Sequence, residues 1–358
     1  MHRALSMIRL KGTAEGIPGV TISCWEGGMK TFIKIFVCVL IFSFATSCYH
    51  SGNQATKLEW NKGSVQEQAS GTAMWCVLMR ALAAAESREE IKGGDYLAEI
   101  FLPDNQRALL KTPAQREWAI KQQPPGMYAY ILARTFYFDH IVEQSLQENI
   151  PQIVILGTGY DSRPYRFQKL AKETRFFELD TFPTLQHKKE LLQKANIPIP
   201  KNVIFVPIDF NKDTFEEVFF RAGYDKHKKT LFLWEGVTEY LDSKAIDTTL
   251  RFIKANSPAG SLVCFDYEAP WHGLVGDELT ALQELDDFWK QNFPNEPSEW
   301  TIEASAMNAF LSERGYKVVD HLQAKEDDIQ KKYFAFRDSL AIGHVPAIFG
   351  LVNASVAP

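Results

Sequence analysis

QIVILGTGYD, residues 152–161, runs an apolar stretch into Gly157 and Gly159 and then an acid. This reads as a buried strand ending in a tight turn. Glycine lets the backbone reverse sharply and come close to a ligand. On its C-terminal side, similar apolar runs recur at RFFELD (175–180), NVIFVPID (202–209), TLFLWEG (230–236) and SLVCFDYE (261–268). YKVVDH (316–321) and YFAFRD (333–338) are two further candidate strands. Connections of roughly 20 residues between the first five leave room for a crossover helix, which parallel strands require. Continuously apolar strands joined in this way predict an α/β fold with a doubly wound sheet covered on both faces.

Upstream the pattern is helical. Ala73, Val77, Leu78, Ala81, Leu82 and Ala85 recur at helical spacing, and a second helix-like run spans 128–145. Residues 70–150 therefore read as a helical cap and 151–340 as the sheet domain. The Trp-, Glu-, Asp- and Asn-rich stretch 270–300 reads as an inserted lid, and 341–358 as a C-terminal tail.

Composition narrows the function. With 39 basic against 44 acidic residues, the net charge of −5 argues against nucleic acid as a partner, because phosphate binding takes a basic surface. A 46% hydrophobic and 23% charged chain is ordinary for a folded enzyme and excludes a disordered or polytopic membrane protein. Of the five cysteines, Cys76 and Cys264 fall in the sheet-and-cap region without CxxC spacing, which predicts neither a disulfide framework nor a zinc site. The eight histidines, His140, His187 and His272 among them, lack metal-ligand spacing, so no metal is expected.

The N-terminus is different. MKTFIKIFVCVLIFSFATSC, residues 29–48, places Lys30 and Lys34 before the apolar run Ile35 to Ala45, with small residues before Cys48. That is the layout of a secretory signal, and ATSC is similar to a bacterial lipoprotein box apart from Ala45. The apolar run is short against the roughly 20 helical residues that span a bilayer. Met29 then reads as the start, residues 1–28 as a misassigned extension, and 49–69 as a linker. This segment suggests an exported or membrane-tethered protein. A buried helix or plain anchor is the alternative.

Four strand ends carry candidate ligand groups. Gly157 and Gly159 follow the first strand, but the third glycine of the dinucleotide fingerprint is missing and Tyr160-Asp161 stands nearby. Asp180 ends the second strand, where a carboxylate can accept hydrogen bonds from both ribose hydroxyls. Its alternative reading is a helix cap before Phe182-Pro183. Glu178 lies two residues earlier on the same face. Asp209 and Phe210 end the third strand, where an acid and a ring could hold an adenine, or the acid could simply form a turn. Glu235 ends the fourth, facing mid-cleft, where it could meet a cationic group of the ligand. Tyr240, a few residues on, lines the substrate pocket or packs.

ILGTGYDSRPYRF, FFELDTF, PIDF and FLWEGVTEYL resemble the leucine carboxyl methyltransferase family and its bacterial relatives. GTAMWCVLMRALAAAE, GGDYLAEIFL and LARTFYFDHIV are similar to the N-terminal cap of those relatives, so the resemblance covers about residues 70–340. It implies a class I methyltransferase (Rossmann-like) fold and an S-adenosylmethionine-dependent O-methyltransferase. It assigns Gly157 and Gly159 to the cofactor turn, Asp180 to the ribose, Asp209 and Phe210 to the adenine, and Glu235 to the methionine moiety. Arg134 matches an arginine that reaches the cofactor carboxylate. Asp161 and Arg163 match a loop motif without separate roles. Ser162 and Pro164 stand where relatives often carry threonine and alanine.

A carboxylate acceptor, on a small molecule or a protein C-terminus, is already ionised at neutral pH, so its methylation needs alignment in a water-poor site and no general base. Arg163 and Arg166 could dock such an anion, or serve as structural pairs for the loop. Tyr240, Arg163 and Arg166 are thus positioning candidates. Two other readings stand beside this one. One is a nicotinamide-dependent oxidoreductase. The other is a membrane-tethered homologue that binds cofactor without turnover. The cofactor supply favours a cytoplasmic enzyme, and residues 29–48 favour an anchored or exported one.

Overall fold

The computed structural model describes residues 58–209, 212–334 and 342–358, together with the backbone of a short antiparallel ladder, Leu10–Gly12 with Pro18–Val20. The apolar segment 29–48 and Phe210 lie outside the described residues. Residues 1–57 and 58–358 form separate compact units, and the second contains every candidate site residue.

The centre of that second unit is a seven-stranded sheet. The strands are β1 (Gln152–Leu156), β2 (Arg175–Asp180), β3 (Val203–Pro207), β4 (Thr230–Trp234), β5 (Leu262–Glu268), β6 (Tyr316–Gln323) and β7 (Phe349–Val356). Their order is β3-β2-β1-β4-β5-β7-β6. The first five are parallel, and β7 runs antiparallel to both β5 and β6. The chain reverses its direction of travel across the sheet between β1 and β4. That switch opens a crevice at the strands' carboxyl ends.

Strand alternation explains the two cores. Ile153, Ile155, Leu231, Leu233 and Cys264 bury on the face that receives the cap helices. Val154, Leu156, Phe232, Trp234, Val263 and Phe265 bury on the other. Successive side chains point to opposite faces, so a run such as QIVIL must be buried throughout, and all five of its residues are.

Nine helices of seven or more residues surround the sheet among the described residues. They are α1 (Gly71–Ala84), α2 (Pro113–Lys121), α3 (Met127–Gln147), α4 (Phe182–Lys194), α5 (Phe215–Arg221), α6 (Ser243–Ala255), α7 (Gly276–Asn292), α8 (Met307–Glu313) and α9 (Asp328–Phe334). In α6, Ile246, Thr249, Leu250 and Ile253 form the buried stripe, and Asp242 caps its start by accepting from the Ala245 N–H at 2.7 Å. The long α3 carries Arg134 and Asp139 under the sheet's crevice. The inserted segment contains α7, held to α1 by aromatic packing. Trp289 lies 5.2 Å from Trp75, edge to face, and 5.2 Å from Phe293.

Three expectations change. YFAFRD is not a strand at its start, because Tyr333 and Phe334 end α9, and 335–341 lie outside the described residues. The stretch expected as a tail instead supplies β7, inserted between β5 and β6. Gly350, Asn353 and Ser355 interrupt its apolar pattern and hide it from a periodicity reading. The expected linker is also partly folded: Trp60 is buried and its ring packs 6.2 Å from Phe293.

Candidate cofactor and acceptor site

The turn after β1 sets the site. Gly157 and Gly159 both have positive φ, +68° and +46°. A Cβ at Gly157 would lie 2.5 Å from Cγ2 of Val237, so the turn admits no side chain there. The Thr158 N–H donates to the Leu179 carbonyl at 2.9 Å, tying the turn to β2. The Gly159 N–H donates to Oδ2 of Asp180 at 2.7 Å, and the Thr181 N–H donates to Oδ1 at 2.7 Å. Oδ1 also accepts from the Thr181 hydroxyl at 3.4 Å, so Oδ2 keeps a lone pair for a ligand hydroxyl. Burial pushes the Asp180 carboxyl up, while these two N–H groups pull it back.

Beneath the turn, Glu178 and Lys188 form a salt bridge of 2.9 Å with both side chains completely buried. Lys188 Nζ also donates to Thr158 Oγ1 at 3.2 Å, and the Tyr165 hydroxyl donates to Glu178 at 3.1 Å. Glu178 therefore supports the loop from below and takes no part in the cleft.

Glu235, at the end of β4, sits between two arginines. Arg134 Nε donates to one oxygen at 3.2 Å and Arg163 Nη1 to the other at 2.7 Å. Arg134 also donates to Asp266 at 2.8 Å and to Cys76 Sγ at 3.3 Å, and its guanidinium lies against Gly236 on the cleft wall. Asp266 gathers the Tyr130 hydroxyl at 2.7 Å and the Gly236 N–H at 2.7 Å as well. Asp161 accepts from the backbone N–H and Nη1 of Arg163, both at 2.7 Å. Burial alone would raise the Asp161 carboxyl, but the charges of Arg163, Lys188 and Arg80 outweigh it and hold the group below its usual range.

Of the two readings of Arg163 and Arg166, anion docking and structural pairing for the loop, their contacts are those of structural pairs. Arg163 is 1% exposed, with Nε on Asp139 at 2.7 Å in addition to Asp161 and Glu235. Arg166 is turned to Asp139 at 2.8 Å and Ser162 at 2.7 Å. Neither lines the cleft. Their partners Asp95 and Asp139 come from the cap, so the two arginines fasten the cap to the cofactor loop. Asp209 does not line the cleft either. It pairs with Lys212 at 2.7 Å, while Ile208 and Asp213 form the wall there. His187 is a packing residue whose Nδ1 lies 2.6 Å from the Tyr160 hydroxyl.

Gly157, Gly159, Asp161, Asp180, Glu235, Arg134 and Tyr240 converge on one cleft of about 1190 Å³. That exceeds the roughly 300–1,000 Å³ of a single small-molecule site, so two molecules side by side fit. Past the ends of β4 and β5 its wall is Glu239, Tyr240, Glu268 and Trp271, with α7 and the loop after it opposite. Burial and the neighbouring charges of Asp266 and Glu268 push the Glu239 carboxyl well up. Burial pushes Glu268 up to about 7. Burial also keeps the Tyr240 phenol protonated far above neutral pH. Asp266 and Glu268 were readable in SLVCFDYE by the rule that exposed Asp180, an acid at a strand's carboxyl end. Glu239 carries no such positional signal.

The family described as leucine carboxyl methyltransferase matches residues 73–254, from α1 through α6. The chain belongs to the leucine carboxyl methyltransferase family. The family's description names methyl transfer, and its relatives are described as S-adenosylmethionine-dependent. Similar relatives include "Putative S-adenosyl-L-methionine-dependent methyltransferase YktD" of Bacillus subtilis, 34% identical over 58% of this chain and 66% of its own length. A Streptomyces avermitilis protein with the same descriptive name is 28% identical over 66% of this chain and 83% of its own. The match thus spans just under two thirds of the first relative. A solved structure of a "putative methyltransferase" from Thermobifida fusca shares the fold, with a TM-score of 0.51 at 15% identity over 79% of this chain and 94% of that one. A nicotinamide oxidoreductase gains no support from these relatives. Among the described residues no helix is long and apolar enough to cross a membrane.

Proposed function

We propose that the protein transfers a methyl group from S-adenosylmethionine to an oxygen, the carboxylate of a small molecule or of a protein C-terminus. The observation that carries this reading is the continuity of the cleft, from the Gly157–Gly159 turn and Asp180 to the chamber walled by Tyr240 and α7. In it, Asp180 binds the ribose and the glycine turn lets backbone approach the cofactor. Arg134 and Glu235, fixed by Asp266 and Arg163, orient the methionine end. When bound, the cofactor supplies a methyl carbon on a cationic sulfur.

The chain's own work is alignment and exclusion of water. Trp75, Trp289 and Phe293 close the chamber's apolar side. Tyr240 keeps its proton and can orient an acceptor oxygen by donating to it. A carboxylate needs no deprotonation.

Glu268, raised to about 7, favours a second acceptor, a hydroxyl, for which it would serve as general base. One experiment decides between them. The protein is incubated with methyl-labelled S-adenosylmethionine and an acceptor mixture of carboxylic acids, alcohols and peptides. Methyl esters release labelled methanol in mild base. Label that survives base treatment as an ether or a methylamine overturns the carboxylate reading.

A further inference from the structure

The cleft carries more acid than base. Eleven acidic and five basic residues line the whole cleft, a field that draws in cations. The basic groups beside the acceptor chamber are already engaged. Arg134 is held by Glu235, Asp266 and Cys76, and Lys290 of α7 pairs with Asp286 at 2.5 Å. Two acids of the acceptor wall are less fully matched. Oε2 of Glu239 is buried without a hydrogen-bond partner, and Glu268 accepts one side-chain bond, from Ser298 Oγ at 2.8 Å.

A buried carboxyl oxygen without a donor costs free energy until something supplies one. An anion brought here would bring no donor of its own. A cationic nitrogen would supply the missing donor and offset the charge, and the rings of Tyr240 and Trp271 on the same wall add cation–π attraction.

We propose that the methyl acceptor carries a cationic amine, which is recognised by Glu239 and Glu268 against the rings of Tyr240 and Trp271. The inference rests on the methyltransferase reading of the cleft and names its substrate class. An acceptor whose carboxylate receives the methyl group is then a zwitterion, its amine seated on the acidic wall. Amine binding drives a proton off Glu239, so binding releases protons to the buffer.

The test uses the full chain saturated with S-adenosylhomocysteine and three probes of one skeleton, 2-phenylethylamine, 2-phenylethanol and 3-phenylpropanoate, titrated calorimetrically. The amine is expected to bind at least about ten-fold more tightly than the propanoate. Its heat should vary with the ionisation enthalpy of the buffer. Glu239→Gln and Glu268→Gln should each weaken the amine about ten-fold and leave the alcohol within about two-fold. Having two separate variants keeps the test decisive if one fails to fold. Equal or tighter binding of the propanoate, no binding of the amine, or an amine preference that survives both substitutions overturns the proposal. Failure of S-adenosylhomocysteine to bind the unmodified protein is a different result, and it overturns the underlying cofactor reading.

Discussion

Replacing Lys188 by methionine removes one half of the buried pair under the cofactor turn and leaves Glu178 without its counter-charge in a site closed to solvent. Both side chains are 0% exposed and 2.9 Å apart, so solvent screening does not soften the loss. Breaking such a pair from one side costs about 3–5 kcal/mol. At a urea m value of about 3 kcal/mol/M, the unfolding midpoint falls by about 1–1.7 M. The double variant Lys188→Met/Glu178→Leu replaces both charges with apolar groups and leaves the Tyr165 hydroxyl and Thr158 without partners. It is expected to recover all but about 1–2 kcal/mol. The coupling in the double-mutant cycle then exceeds about 1 kcal/mol.

The pH dependence gives a second handle. Burial already raises Glu178 against the pull of Lys188 and Tyr165, and removing Lys188 raises it further. The folded single variant then holds a proton that the unfolded chain gives up near its ordinary value. Its stability is highest below that value and falls as pH rises, by about 1.4 kcal/mol per pH unit. The deficit against the unmodified protein should therefore be smaller at pH 5.5 than at pH 7. Circular-dichroism urea titrations at both values provide the measurement. A single-variant loss below about 1 kcal/mol, or a deficit independent of pH, would show that the pair does not hold the turn in this way.

Three further outcomes are expected. Gly157→Ala combines a positive φ with a Cβ placed 2.5 Å from Val237; it should cost about 2–5 kcal/mol in thermal unfolding, with part of the loss restored by Val237→Ala. Asp180→Ala should weaken S-adenosylhomocysteine by about 10–150-fold in calorimetry, the loss of about 1.5–3 kcal/mol of charge-assisted bonding; an unchanged affinity would sink the ribose assignment. Glu239 carries a folded-state carboxyl raised well above its usual range, so its contribution to stability falls as pH rises through neutrality. Glu239→Gln should therefore raise the melting temperature relative to the unmodified protein, more at pH 8 than at pH 5, and a pH-independent difference would count against a raised carboxyl.

Much of the fold was legible because buried parallel strands must be apolar on both faces. QIVIL and TLFLW leave little else to be, and Gly157, Asp180 and Glu235 follow at strand ends where a crevice is obligatory. Antiparallel β7 escaped because its glycine and polar residues break the run, and YFAFRD misled because its aromatic alternation begins on the last turn of α9. At the site, the groups that a strand end places in the crevice were readable. Arg163 and Arg166 kept two alternative roles, since the cap carboxylates Asp95 and Asp139 that help to claim them lie on other elements. An arginine's availability to a ligand is a property of its neighbours in space.

The placement of β7 bears on how the chain is made. Until residues 349–356 emerge from the ribosome, β5 has no neighbour on that side and β6 has nowhere to pair. β7 follows β5 by roughly 80 residues, which is roughly 4–16 s at translation rates of 5–20 residues per second. Throughout that interval the apolar strand LVCFDYE presents an open hydrogen-bonding edge. The nascent chain therefore passes through an obligatory sticky stage, and yield in a cell should depend on holdase chaperones and translation speed more than the finished protein's stability would suggest.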